Sequence, residues 1–416
     1  MTSTHVDVAV IGGGPAGLAA ASMAKQQGVE KVVIYDRNDW MGGILFQCIH
    51  DGFGVEELGT SMTGTEYAEM YVHQAVADGV DLVQGAMVLS LQPNRRLIVV
   101  HTKGIEEIQA KAIILAMGCR ERTRWSCMIP GTRPSGIYTA GVAQALINVY
   151  NIMPGKDVII LGSGDVGLIM ARRLKFEGAT VHGVVELLPY ASGLPRNVVQ
   201  CLDDYDIPLY LNHTITDIEG SERLTQVTIA QMTEKGECVP GSEKIIPCDT
   251  VLLSLGLIPE NELSKQVGIQ LDPLTGGPKV SERYETSSPG IFACGNCLQV
   301  YDTVDMLAID AKEVGKQAAL FTQSKQPSSQ TTGINLQAGD GVQYIVPQKI
   351  TRPGKIRCTL RVKKPQKNVI LKATSKDKEI ITKKQRFVNP ANMISFSVPI
   401  SEKMLDEAKV VEVAVL

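Results

Sequence analysis

Apolar residues follow two rhythms along most of the chain. Dense short runs at 6–11, 32–36, 110–118, 248–256 and 290–297 suit strands buried in a parallel sheet. Helical spacing takes over across 16–26. It returns from Val304, where Leu307, Ala308, Ala311 and Val314 continue one face and Asp302 or Thr303 can cap the helix. Strands alternating with helices predict an α/β sheet architecture. Past residue 340 the rhythm changes. "VQYIVPQKI", "KIRCTLRVKKP", "NVILKATS", "KEIITKKQRFV", "MISFSVPI" and "VVEVAVL" are short alternating runs, and "SKDKE" reads as a hairpin turn. They predict a small β-sandwich-like C-terminal domain.

Two stretches carry the same motif. The first strand runs into Gly12, Gly14 and Gly17, spaced G-x-G-x-x-G, then a helix and a second strand ending in Asp36. The first glycine permits the tight turn, the second lets a pyrophosphate approach, and the third allows helix–strand packing. The helix N-terminus favours the phosphates, and Asp36 is placed to accept from ribose hydroxyls. Gly162, Gly164 and Gly167 repeat the pattern, with Glu186 closing the next strand. Both acids stand 24 residues after the first glycine of their motif. Glu186 would repel a 2′-phosphate and no arginine follows it closely, which favours NAD over NADP. A vestigial second site is the alternative.

Composition divides the chain further. At 416 residues it is too long for one core, and 44% apolar with 20% charged is ordinary for a globular protein. Residues 341–416 hold 16 Lys and Arg against 6 Asp and Glu, a charge of +10, leaving −13 on the remainder. This asymmetry predicts a domain boundary. The expected division is 1–120 with 257–322, then 121–256 inserted, a polar linker over 323–340, and a basic all-β domain over 341–416. The basic domain lacks an aromatic platform or recognition helix, which argues against nucleic acid. Docking to an acidic partner or to the chain's own acidic body is expected instead. No run is long enough to span a bilayer, and glycines with Pro15 break the first apolar run where a signal peptide would need continuity. Nine cysteines without framework spacing suggest free thiols in a cytoplasmic protein.

With these motifs in register, residues 5–322 resemble the two-dinucleotide-domain flavoprotein oxidoreductases, the group of thioredoxin reductase and NADH oxidase. "MGGILFQCIHDGFG", "TGTEYAEMY", "AMGCRERTR" and "IPGTRPSGIYTAG" are similar to a bacterial subfamily within that group. Its members are encoded beside a glycerol-3-phosphate-dehydrogenase-like flavoprotein and a small cysteine-containing protein. Relatives also occur as subunits of heteromeric amino-acid and opine dehydrogenases. The resemblance implies two Rossmann-like domains, for FAD and NAD. It implies that Gly12, Gly14, Gly17 and Asp36 hold the ADP half of FAD, that Gly42 and Gly43 pass its pyrophosphate and ribityl chain, and that Gly118 closes the pocket. Gly295 and Asn296 take the place of a Gly-Asp pair, and the helix from Val304 aims its N-terminus at the flavin. The partners it implies are NADH, a partner dehydrogenase and the small cysteine-containing protein; a homo-oligomer stays open.

A lone cysteine sits in "GGILFQCIHDG". A disulfide reductase needs two. Cys48 is either a redox thiol beside the flavin or a packing residue. His50, with Asp51 beside it, is either a general acid or a histidine bonded to nearby backbone. Cys201, Cys238 and Cys248 are far apart, and Cys358 is alone in the basic domain. Cys294 and Cys297 form a C-x-x-C across the proposed flavin turn, with packing or a redox or metal role. Otherwise no metal spacing occurs. Arg120, Arg122 and Arg124 either clamp an anion or pair with acids at the domain junction. The expected activity is hydride transfer between NAD(H) and flavin in an electron-transfer subunit. The alternatives are a stand-alone NADH oxidase or disulfide reductase using Cys48, and a non-catalytic flavin-bearing scaffold.

Overall fold

The computed structural model describes residues 2–324, 333–376 and 378–416. The chain forms two compact units, Met1–Cys119 with Pro259–Leu416, and Arg120–Ile258. Both are α/β with Rossmann-like sheets, and the first also carries the C-terminal sandwich.

In the first unit the strands Asp81–Val83, Val32–Tyr35, Thr2–Ile11 and Gly104–Leu115 pair in parallel in that order. Arg96–His101 and Met87–Gln92 extend the sheet antiparallel. Register brings the loops together. Ile11 pairs with Tyr35 on one side and Leu115 on the other, and Leu115 pairs with Ala293. Gly12, Asp36, Ala116 and Cys294 therefore leave the sheet at one edge, where ligands of open parallel sheets bind.

Two helices carry this edge. Pro15–Gln26 is built from small residues, and Ala19, Ala20, Ala21 and Ala24 are fully buried. They let the Val304–Gln323 helix approach so closely that a Cβ on Gly315 would overlap the Ala20 carbonyl. Thr303, not Asp302, caps that second helix, accepting from the Met306 amide at 3.4 Å. A third helix, Gly64–Ala77, starts with a capping box between Thr63 and Glu66.

The second unit repeats the plan. Leu209–Leu211, Thr180–Glu186, Asp157–Leu161, Thr250–Leu253 and Ile137–Thr139 form a five-stranded parallel sheet. Leu161 pairs with Val185 and Leu253, so Gly162, Glu186 and Ser254 share an edge. A three-stranded antiparallel sheet, His213–Gly220, Leu224–Gln231 and Lys244–Pro247, was not evident in the apolar pattern.

The C-terminal residues form two sheets around a common core that includes Leu336, Cys358, Leu371, Phe396 and Val413. The expected linker over 323–340 is corrected at both ends. The helix runs through Gln323, and Ile334–Ala338 is a sandwich strand pairing with Val410–Val415. Residues 325–332 of that linker lie outside the described residues, as does Asp377 of the expected hairpin turn. That hairpin joins Gln366–Ser375 to Lys378–Val388. Of the two docking expectations for the basic domain, the structure shows the chain's own acidic body. Tyr344, Val346 and Met393 join the core of the first nucleotide sheet, and Arg361 pairs with the buried Asp302.

The close helix crossing yields a test in which two effects oppose each other. Helix propensity alone would make Gly315→Ala stabilising by up to about 1 kcal/mol. The overlap with Ala20 should instead make it destabilising, by about 1–3 kcal/mol in denaturant unfolding.

Candidate cofactor sites

The first glycine loop is built by close approach. Gly12 has φ +106° and lies against the Ala116 carbonyl, leaving no room for a side chain. Gly17 packs on the Gly12 carbonyl. Gly14 stands at the helix N-cap without a side-chain cap, and a Cβ there would meet no protein atom within 4 Å. The loop thus offers helix-terminal amides beside open space, the condition for an approaching phosphate. Asp36 is buried. Its Oδ2 accepts from the Gly13 amide at 2.6 Å and its Oδ1 from the Asn38 amide at 2.8 Å. Its first duty is therefore to hold the loop, a role that spacing alone did not indicate. Each oxygen keeps a lone pair for a further donor.

The neighbouring segments press on this loop. The Gly42 amide donates to Gly13 O at 2.7 Å, and a Cβ on Gly43 would stand 3.0 Å from Gly14 Cα. Gly118 is left-handed with open space beside it. Gly295, also left-handed, turns against Ala16, and Asn296 Oδ1 accepts from the Tyr301 amide at 3.1 Å. Val304 begins the helix that Thr303 caps. The glycine cradle, the uncapped N-terminus and the terminal acid fit a dinucleotide such as FAD.

The second loop uses the same device with different residues. Gly162 packs on the Ser254 carbonyl, Gly167 on the Ser254 side chain, and Gly164 is again an N-cap without a side-chain bond. Glu186 is buried. It accepts from the Ser163 amide at 3.0 Å, the Ser163 hydroxyl at 2.5 Å, the Ser192 hydroxyl at 3.0 Å and the Leu188 amide at 2.9 Å. Sequence reasoning missed both serines. Asp165, at the first helical position, accepts from the Leu194 amide and Asn197 Nδ2. All four of the donors to Glu186 are neutral hydroxyls or amides.

Cys48 follows the turn Gly43–Gln47. Its amide donates to Leu45 O, its carbonyl accepts from the Gly64 amide at 2.8 Å, and a Cβ on Gly64 would overlap it. The side chain is half-buried, its sulfur 3.5 Å from Ile44 O, and burial pushes the thiol up to about 12. This favours the packing reading over a thiolate at neutral pH. His50 Nδ1 lies 3.1 Å from Asp51 O, and its ring packs on Phe53 with centroids 5.0 Å apart. This contact is of the kind the backbone-bonded alternative expects. An unforeseen acid pair anchors the following loop. Asp305 Oδ1 accepts from the Glu57 amide at 3.1 Å. Glu57 in turn is bonded by Tyr67, by Tyr71 at 2.5 Å and by Lys312 at 2.5 Å. Burial opposes ionisation of Glu57, but Lys312 and the two phenols together hold its carboxyl below the ordinary value.

Cys294 and Cys297 are buried and unbridged. Cys297 Sγ donates to Leu115 O and Cys294 O, both at 3.1 Å, and burial pushes its thiol up to about 12. These contacts support packing. No group of three or more metal-ready side chains occurs among the described residues. Of Arg120, Arg122 and Arg124, Arg124 is engaged by its own loop. Its guanidinium donates to the carbonyls of Ile129, Pro130 and Thr132 and closes its own loop.

The Cys48 setting predicts how it meets alkylating agents. With the thiol near 12, about one molecule in ten thousand is thiolate at pH 8. Iodoacetamide should label exposed Cys238 first, and labelling of Cys48 should climb with pH through the alkaline range without levelling. Peptide mass spectrometry reads both; a plateau for Cys48 near neutrality would refute the buried-thiol account.

Known proteins share the sequence pattern and the fold. Hydrogen cyanide synthase subunit HcnB of Pseudomonas aeruginosa is 26% identical over 278 residues, 63% of this chain and 59% of the relative. The chain thus spans less than two thirds of that relative's length. A subunit of the opine oxidase of Agrobacterium tumefaciens is 25% identical over 361 residues, 81% of this chain and 69% of that one. Among solved structures, T. acidophilum thioredoxin reductase shares the fold at TM-score 0.63 and 24% identity, over 77% of this chain and 99% of its own. The family model described as pyridine nucleotide-disulphide oxidoreductase matches residues 6–315. Members of that family use FAD and NAD(P)H. Three quarters of the chain falls within the match, and the chain belongs to the pyridine nucleotide-disulphide oxidoreductase family.

Proposed function

We propose that the chain is an FAD-dependent oxidoreductase that exchanges a hydride with NAD(H), and that it serves as the electron-transfer subunit of a larger dehydrogenase. One observation carries this reading. Two glycine loops each have the acid that ends the next strand bonded to a loop amide, Gly13 to Asp36 and Ser163 to Glu186. Gly12, Gly14, Gly17, Asp36, Gly42, Gly43, Gly118, Gly295 and Asn296 would hold FAD; Gly162, Gly164, Gly167 and Glu186 would hold NAD. Bound at the first site, FAD supplies two-electron chemistry with a nicotinamide.

The partner part of the reading rests on the relatives named as subunits of hydrogen cyanide synthase and opine oxidase. It also rests on the likeness to the subfamily encoded beside a glycerol-3-phosphate-dehydrogenase-like flavoprotein. A hydroxy or amino acid such as glycerol 3-phosphate would be the substrate of that partner, and the small cysteine-containing protein a further component. The raised Cys48 thiol argues against this cysteine as the attacking nucleophile of a stand-alone disulfide reductase. No helix among the described residues is long and apolar enough to cross a membrane. The unbridged thiols of Cys201, Cys248, Cys294, Cys297 and Cys358 support a reducing, cytoplasmic setting.

Anaerobic stopped-flow mixing tests the core of the reading. NADH should bleach the bound flavin faster than NADPH at equal concentration. Glu186→Gln, close in shape but neutral, should narrow that preference by about tenfold, equivalent to about 1.4 kcal/mol. Equal or faster reduction by NADPH in the native protein would refute the role of Glu186. A flavin that neither nucleotide bleaches would leave only the scaffold reading.

A further inference from the structure

The C-terminal sandwich grips the first nucleotide sheet through the strand Gly354–Val362. Side chains alternate along it. Ile356, Cys358, Leu360 and Val362 are buried in the sandwich core. Arg357, Thr359 and Arg361 face the other way. Arg357 Nε lies 3.0 Å from Asp310 Oδ1. Thr359 Oγ1 accepts from Gln299 Nε2 at 2.9 Å. Arg361 Nη2 donates to Val300 O at 2.9 Å and to Asp302. Arg361 is itself fixed, by Tyr344 Oη at 2.8 Å and Pro390 O at 2.6 Å. The acids it and Arg357 meet are deeply buried, with side chains 8% exposed for Asp302 and 2% for Asp310.

The partners outside the sandwich, Gln299, Val300, Asp302 and Asp310, all fall between the Gly295 turn and the middle of the Val304–Gln323 helix. Tyr301 lies between Val300 and Asp302, the two residues that Arg361 holds. Its amide donates to Asn296 Oδ1, and its hydroxyl reaches Asp310 Oδ2 at 2.9 Å. Asp302 immediately precedes the Thr303 cap and also accepts from the Met393 amide. A single guanidinium thus fixes both neighbours of the residue whose amide holds Asn296, and one of those neighbours adjoins the helix start.

We propose that Arg361 is a positioning residue for the cofactor. Acting through Val300, Tyr301 and Asp302, it sets where Asn296 and the helix N-terminus stand toward a bound flavin. The inference rests on the reading of this edge as the flavin site. A shift of a helix terminus changes the partial positive charge presented to the cofactor, so affinity and potential should both respond.

The test uses full-length protein carrying Arg361→Gln, Arg361→Lys or Val413→Ala. Val413 is buried in the sandwich core, away from the gripping face, and reports general destabilisation. Three quantities are read: melting temperature, FAD affinity by titration of the apoprotein, and the flavin midpoint potential. Arg361→Gln should weaken FAD binding by about tenfold and move the potential, Arg361→Lys should recover part of both, and Val413→Ala should lower melting with affinity within about twofold. A folded Arg361→Gln protein with native affinity and potential overturns the proposal, as does a Val413→Ala protein that loses FAD equally. Should Arg361→Gln fail to fold, Arg361→Lys decides by the same readouts, affinity and potential both equal to native again overturning it. Native protein that binds no FAD would instead refute the flavin reading itself.

Discussion

A buried carboxylate bonded to a glycine-loop amide is the constraint on which both nucleotide sites depend. Asp36 reaches Gly13, and Glu186 reaches Ser163. The bond forms only when adjacent strands end level, when the turning glycine is left-handed and when the helix packs directly on the loop. A charged acceptor makes such a bond stronger than a neutral one, and burial makes its loss costly. The same contact that shapes the loop also fixes where the carboxylate stands beside it.

The charge asymmetry of the chain resolves into a few specific contacts. Most of the +10 of the basic domain is spread over solvated lysines such as those of the Lys378–Val388 strand. Three arginines do something different. Arg361 meets Asp302, Arg357 meets Asp310, and Arg352 lies 3.5 Å from Glu282, whose carboxylate also accepts from the Thr351 amide. The acids are buried while the Arg357 and Arg352 side chains are 42% and 40% exposed, so the pairs add little net stability, but breaking one leaves a buried carboxylate uncompensated. They therefore specify how the sandwich sits on the sheet. Asp310 follows this logic: burial pushes its carboxyl up, and Arg357 with the hydroxyls of Tyr301 and Tyr284 counters that push.

The segment around Cys48 invites a redox reading because a lone thiol follows a glycine pair. Its contacts support the packing alternative. Gly64 leaves room for the Cys48 backbone at the start of a capped helix, and Phe53 and Tyr67 continue the contact beyond His50. Asp305 and Glu57 then tie the loop back to the Val304–Gln323 helix. Cys48 and His50 of "GGILFQCIHDG" lie against backbone and the Phe53 ring, and the two acids anchor the segment that follows.

By itself the sequence determined the repeated strand, loop, helix and acid, because G-x-G-x-x-G and a strand-end carboxylate are local patterns read over about thirty residues. It likewise determined the sandwich strands, whose alternation of buried and outward positions is also local. What Asp36 and Glu186 bond to was decided by tertiary structure. Ser163 and Ser192 come to Glu186 from separate loops, and nothing in their own surroundings marks them. The fate of Asp302 was decided in the same way. Local rules allow it as a helix cap equally with Thr303, but Arg361, 59 residues later, takes its carboxylate and leaves the cap to Thr303. Such pairings require two distant segments to be brought face to face. Only the sheet registers and helix crossings of the folded chain specify that approach.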